Sequence, residues 1–239
     1  MMIRYLLLMF SALLAMNVLA GEPTGEPLPL FTAHYVVKKG PFELGRSLRE
    51  LQNGADGELV FRSDSDTTGM AGLLISEHIR QTTRLKLDGA HVIPLEYRYQ
   101  RDGRKDSTIT QQFDWKQGNV TSQVNEAVYK YPLQQDAIDQ SAYQISLMID
   151  LAKGEREFRY HVAGKTDMRT YAISHVGDER IETVFGELDT VVIQRKDKQT
   201  TTMWCAYDLH FLPVKIQHEE RGGVFTAYLE SVEGLAIPR

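Results

Sequence analysis

The chain has 239 residues, 27 of them Lys or Arg against 32 Asp or Glu, with 42% hydrophobic residues and a single Cys. That balance excludes a disordered chain, a collagen-like repeat and a small domain stapled by disulfides. The net charge of −5 leaves no basic footprint for nucleic acid.

Residues 1–20 read as a secretory signal peptide. Arg4 supplies the positive start, Tyr5 to Met16 the apolar run, and Val18-Leu19-Ala20 a small-residue cut site before Gly21. Twelve apolar residues fall short of the about twenty that a membrane-spanning helix needs. No later run is long enough, so no transmembrane span is expected in the mature chain. No Cys directly follows the cut site, which removes the acceptor for a lipoprotein-type anchor. The expected mature protein is therefore periplasmic, soluble and not lipid-anchored, with 26 basic against 32 acidic residues. Residues 21–29 (GEPTGEPLP) read as an extended spacer, because their prolines oppose helix. Residues 30–234 are expected to form one domain and 235–239 a tail.

Most of that domain alternates with the period of a strand. Phe31, Ala33, Tyr35 and Val37 share a face, as do Ile79, Thr83, Leu85 and Leu87, and Ile93, Leu95, Tyr97 and Tyr99. Ile109 and Phe113 follow, then Phe158, Tyr160 and Val162, then Tyr171 and Ile173, and later Val191 and Ile193. Met203, Cys205 and Tyr207, Val214 and Ile216, and Phe225, Ala227 and Leu229 complete the series. Turn signals such as Asp88-Gly89, Asp102-Gly103 and Gly177-Asp178 separate these runs. Residues 136–153 break the rhythm, with Ile138, Ala142, Ile145, Ile149 and Ala152 at helical spacing. Asp136 is the expected N-cap, Asp139 lies in the first turn, and Gly154 is the C′ glycine. Such a wide apolar stripe needs a large partner. The expected fold is mainly β: a large curved antiparallel sheet or open β-barrel wrapped around one central α-helix. Thr68 to Ser76, apolar and glycine-containing, is expected to be a short helix or a loop at a cavity mouth. His91-Val92-Ile93-Pro94 and His210-Phe211-Leu212-Pro213 form an internal echo, each starting a strand whose proline precedes a turn glycine by nine residues.

No nucleophile elbow, P-loop, dinucleotide fingerprint or His-Glu-x-x-His is present. Cys205 cannot form an internal disulfide, and Trp204 and Tyr207 beside it favour burial over reactivity. Cys205, Asp208, His210 and His218 lie close in sequence without the paired spacing of a zinc site. Asp64 and Asp66 share a strand face but sit in a polar stretch. Arg46, Arg49, Arg80, Arg84, Arg98, Arg101 and Arg104 are interspersed with acids, which favours cross-strand ion pairs over a phosphate-binding stripe. The aromatic residues, 9 Phe, 2 Trp and 11 Tyr, give the strands a bulky inner face.

Several segments resemble a periplasmic bacterial family known as domain of unknown function 3108. They are Phe31-Thr32-Ala33-His34-Tyr35-Val36, Asp139-Gln140-Ser141-Ala142-Tyr143, residues 182–190 (ETVFGELDT), Met203-Trp204-Cys205-Ala206-Tyr207-Asp208 and Leu212-Pro213-Val214-Lys215-Ile216. The resemblance implies an architecture similar to open β-barrel envelope proteins, including lipoprotein carriers that hold acyl chains in a concave cavity. It brings no established active site.

The expected function is that of an exported cell-envelope protein, not an enzyme and without a cofactor or metal. It would bind a lipid, a lipoprotein acyl chain or another amphipathic ligand in the barrel. The expected cavity lining is Tyr35, Leu85, Tyr97, Phe113, Tyr143, Ile145, Met148, Ile149, Trp204 and Phe225. One alternative is a structural module with a filled core and an envelope protein partner. The other is a hydrolase of envelope polymers using groups among Asp64, Asp66, Glu182, Asp208, His210 and His218.

Overall fold

The computed structural model describes residues 28–67, 77–103, 105–197 and 199–237. Residues 1–20, expected to be a signal peptide, most of the expected spacer and the stretch Thr68 to Ser76 lie outside the described residues.

The first half of the chain is a meander: β1 (Phe31–Lys39), β2 (Phe42–Asn53), β3 (Leu59–Thr67), β4 (His78–Asp88), β5 (His91–Asp102), β6 (Ser107–Asp114), β7 (Asn119–Val124) and β8 (Ala127–Pro132). A two-residue strand, β9 (Ala137–Ile138), leads into helix α1 (Tyr143–Ala152). The second half is another meander: β10 (Glu157–Ala163), β11 (Met168–Thr183), β12 (Gly186–Lys196), β13 (Thr200–Ala206), β14 (Pro213–Glu220) and β15 (Gly223–Glu233). All fifteen strands form one sheet, in the order β8 to β1, then β15 to β9. The halves meet where β1 pairs antiparallel with β15. Only β9 and β10 run parallel, because α1 is the crossover between them.

Directly paired residues share a face, so register fixes what points inward. Phe31 of β1 faces Leu51 of β2, which faces Phe61 of β3, and all three are buried. On the other half, Cys205 and Met203 of β13 face Val191 and Ile193 of β12 inside the roll. α1 fills the space between, with Ile145, Leu147, Met148 and Leu151 exposed by 1% or less. Burial of each such side chain contributes about 1.5–3 kcal/mol.

The helix is shorter than the sequence pattern predicts. Ile138 faces the core from a strand, and Asp136 binds the His161 ring across β9 and β10 at 2.8 Å rather than capping a helix. The helix N-cap is Ala142, without a side-chain cap, and Asp139 acts just before it: its Oδ1 accepts from the backbone N–H of Ser141 at 2.8 Å and of Ala142 at 2.9 Å. Those bonds organise the turn from which the helix starts. At the other end Gly154 has φ +87°, as a C′ glycine should. Tyr207 leaves the face of Met203 and Cys205, because Tyr207–Leu209 forms a 3-10 turn. The proline echo has a structural counterpart. Pro94 pairs with Leu85, and Pro213 with Cys205, each next to a register shift. A proline has no N–H to lose where the ladder is already broken.

The edge strands β8 and β9 do not pair, so the barrel is open. The sheet is instead held in its roll by side chains. The turn after β10 packs inside β6–β8, where Gln111 Nε2 and the Tyr131 hydroxyl each donate to the Gly164 carbonyl at 2.6 Å. Ser122 Oγ donates to the Lys165 carbonyl at 2.8 Å. Thr83 Oγ1 of β4 donates to Asp139 Oδ1 at 2.9 Å and ties the sheet to the helix start.

Asp139 is fully buried, and burial pushes its carboxyl up to about 6, against the pull of its hydrogen bonds. The folded state thus holds this proton more tightly than the unfolded chain. Its stabilising effect is complete below about pH 3.8 and is lost as pH rises through about 6, at most ~3 kcal/mol. Asp139→Asn, which keeps a neutral acceptor, is expected to remove that loss. Thermal melts of both proteins from pH 4 to pH 7.5 measure it as a flatter profile in the variant.

Candidate functional site

The inner face of β2–β5 changes character along its length. Near the floor it is apolar and sealed, with Leu51, Phe61 and Leu85 exposed by 1% or less. One inward row further up, Arg49, Ser63, Gln81 and Tyr99 stand side by side on β2, β3, β4 and β5. The next row is Ser47, Ser65, Ile79 and Arg101. All eight are half-buried although they point into the roll, so this end forms a polar vestibule above a closed floor.

Its groups are tied to one another. Ser65 Oγ donates to Ser47 Oγ at 2.9 Å, and the Tyr97 hydroxyl donates to Gln81 Oε1 at 2.9 Å. Arg101 pairs with Glu77 at 2.5 Å. Arg49 donates to Oε1 of Gln144, in the first turn of α1, and lies 5.3 Å from the centre of the Tyr35 ring. Across the helix Arg195 stacks 4.2 Å from the Tyr171 ring, and Tyr171 meets Tyr143 edge-on at 5.5 Å.

The ten predicted lining residues divide. Tyr35, Leu85, Tyr97, Ile145 and Met148 are exposed by 1% or less, so the protein itself contacts them on all sides. Tyr35 donates its hydroxyl to the Pro213 carbonyl at 2.8 Å. Burial raises the Tyr35 and Tyr97 hydroxyls above the ordinary phenol range. Phe113 belongs to a second cluster with Tyr97, Val120 and Tyr131. Tyr143 and Ile149 are half-buried on the helix. Phe225 is half-buried near the rim, with Lys39 5.2 Å from its ring. Trp204 lies on the outer face, because its neighbours Met203 and Cys205 take the inner one. Its indole N–H donates to Glu179 at 2.6 Å, and Lys215 covers its ring at 3.8 Å.

Most of the named arginines pair with a carboxylate, some across strands and Arg98 along its own. Arg46 meets Glu43 and Glu230, Arg84 meets Glu58 and Glu96, and Arg98 meets Glu96. Arg80 lies 4.0 Å from Asp102. Arg104 is outside the described residues. Arg49 departs from the expectation and meets no carboxylate among the described residues. Arg49, Ser47, Ser63, Ser65, Gln81 and Gln144 were not singled out as a site, and the available signal was a strand-length stretch with polar residues at alternate positions.

The groups considered for hydrolysis are spread over the fold. Asp64 and Asp66 do share a face, the outer one, in a surface cleft of about 230 Å³ with His34, Arg46, His78 and Glu230. Asp66 binds His78 Nδ1, and Arg80 Nε donates to His78 Nε2 at 2.7 Å. Glu182 is exposed on β11, and Asp208 and His210 are exposed around the 3-10 turn. His218 is held between Thr201 and Gln199, each at 3.0 Å. Among the described residues no group of three or more His, Cys, Asp or Glu is placed to hold a metal ion. A second surface groove of about 740 Å³ runs between the far part of β11 and the outer faces of β14, β15 and β1. No described helix is long and apolar enough to cross a membrane.

An open, rolled antiparallel sheet around a helix defines a β-barrel-like fold. The family described as protein of unknown function DUF3108 matches residues 31–230, and the chain belongs to it. A solved structure with a similar fold is a β-barrel-like protein of domain of unknown function DUF1849 from Brucella abortus. The two share a TM-score of 0.56 at 11% identity, over 86% of this chain and 98% of that one. Comparison with curated proteins gives no match.

Cys205 is fully buried, and burial raises its thiol far above the usual range. The native protein is expected to give no reaction with a disulfide thiol reagent over minutes at pH 8. One equivalent per chain should appear in guanidinium chloride.

Proposed function

We propose that this is an exported, non-enzymatic envelope protein that holds a lipid, acyl chain or similar amphipathic ligand in the vestibule of its rolled sheet. The observation that carries this reading is the pair of inward rows on β2–β5 that remain half-exposed above a sealed floor. Side chains that point inward yet reach solvent border open space, and a concave space with a few convergent polar groups suits a small ligand. Because the side chains around Ile145 and Met148 are sealed, a ligand under this reading would lie above them rather than among them. Export rests on the leader-like sequence of residues 1–20.

The test is binding of the neutral fluorophore N-phenyl-1-naphthylamine and its displacement by oleoyl compounds, together with solvent extraction of protein purified without detergent. Saturable displaceable binding is expected, and Ser63→Trp, which fills the vestibule, should weaken it about tenfold or more. Asp64→Asn, the adjacent outward residue, should leave it unchanged. No saturable binding and no co-purifying lipid would overturn the reading.

A second reading, docking of an envelope protein, is favoured by the outer groove of about 740 Å³ and its exposed Val184 and Tyr228. Cross-linking in intact cells through photoreactive groups at these two positions would give one discrete adduct under that reading and none under the first.

A further inference from the structure

The geometry points to an anionic ligand: we propose that Arg49 and Gln144 receive a carboxylate or phosphate group at the base of the vestibule. The inference rests on the vestibule being the binding site and adds the charge of what it binds.

Register leaves no doubt about the direction of Arg49. It pairs with Ala33 on one side and Ser63 on the other, in the row above Phe31, Leu51 and Phe61. A cation turned into a rolled sheet normally brings its counter-charge with it, since unpaired burial of charge is costly. Arg101, the other arginine on this inner face of β2–β5, does so with Glu77. Among the described residues Arg49 has only neutral partners, the Gln144 amide oxygen and the face of Tyr35. A guanidinium offers five N–H groups in a planar fork suited to carboxylate and phosphate oxygens. One described hydrogen bond uses one of them.

Gln144 supplies an independent sign. The residue is only 5% exposed, and its Nε2 has no hydrogen-bond partner among the described residues. A buried amide N–H₂ without an acceptor is uncommon and calls for one. It belongs to the same amide as the oxygen that Arg49 holds, so the two donor groups are neighbours. Ser63, next to Arg49 in register, offers a hydroxyl at the same level, and Ser47 one in the row above. Asp139, the buried carboxylate before the helix, uses its Oδ1 for Thr83 and two backbone N–H groups. The apolar part of such a ligand would then run toward the mouth past Ile79 and Tyr99.

The experiment compares oleate, 1-oleoyl lysophosphatidate and oleyl alcohol as competitors of N-phenyl-1-naphthylamine, which carries no charge. The native protein is expected to prefer either or both anions over the alcohol by about tenfold or more, the scale of a charge-assisted bidentate contact. A carboxylate-only or phosphate-only preference identifies which group the site takes. Arg49→Gln should abolish the preference while alcohol affinity stays within about twofold, and Arg49→Lys should retain part of it. Circular dichroism confirms that each variant is folded, and Arg49→Met serves if Gln does not fold. Equal binding of all three competitors, or an anion preference that survives loss of Arg49, overturns this inference alone. Failure of every competitor and of the probe overturns the vestibule reading and this inference with it.

Discussion

A fifteen-stranded sheet whose edges do not pair must hold its curvature by other means, and in this protein buried polar contacts do so. Gln111, Tyr131 and Ser122 reach across the gap to the carbonyls of Gly164 and Lys165, and Asp139 fastens the helix start to Thr83. Each neutral contact contributes only about 1 kcal/mol net. Their importance is clearest at the buried Gly164, whose carbonyl would otherwise lack these partners, at a larger cost. Rolling the sheet and enclosing the helix are therefore one event: neither the apolar inner face nor the helix stripe has another surface of matching size to cover it.

The same arrangement divides the interior. Where α1 lies against both halves of the sheet, side chains seal each other and the space is closed. Toward the first turn of the helix the sheet continues, and the upper inward rows of β2–β5 are half-exposed. Polar residues on those faces are consistent with a region that meets water or a ligand rather than a neighbouring side chain. Arg49 sits at the boundary, with one hydrogen bond to the helix and its ring contact to the sheet.

Hydrophobic alternation reports strands that bury one apolar face, and it located β1, β4, β5, β6 and most of β10–β15 in that way. It was blind to β2 and β7, and nearly so to β3, because their inward positions include Ser47, Arg49, Ser122, Ser63 and Ser65. The strands it overlooked are thus largely those that build the vestibule and the seam. The helix start was misplaced for a related reason. Ile138 and Ala142 fit a helical stripe, but Ile138 is held by strand pairing with Val162, a partner twenty-four residues away. Trp204 was assigned inward on its bulk, whereas alternation with Met203 and Cys205 puts it outside.

By itself the sequence determined the class of fold, the single interior helix with its glycine stop, and the burial of Cys205, because local periodicity and turn chemistry carry that information directly. Only the tertiary structure decided which polar side chains face inward, that the barrel stays open, and that Arg49 lacks an acid. Those properties depend on register between strands and on how far the helix reaches, and no local pattern of residues encodes either.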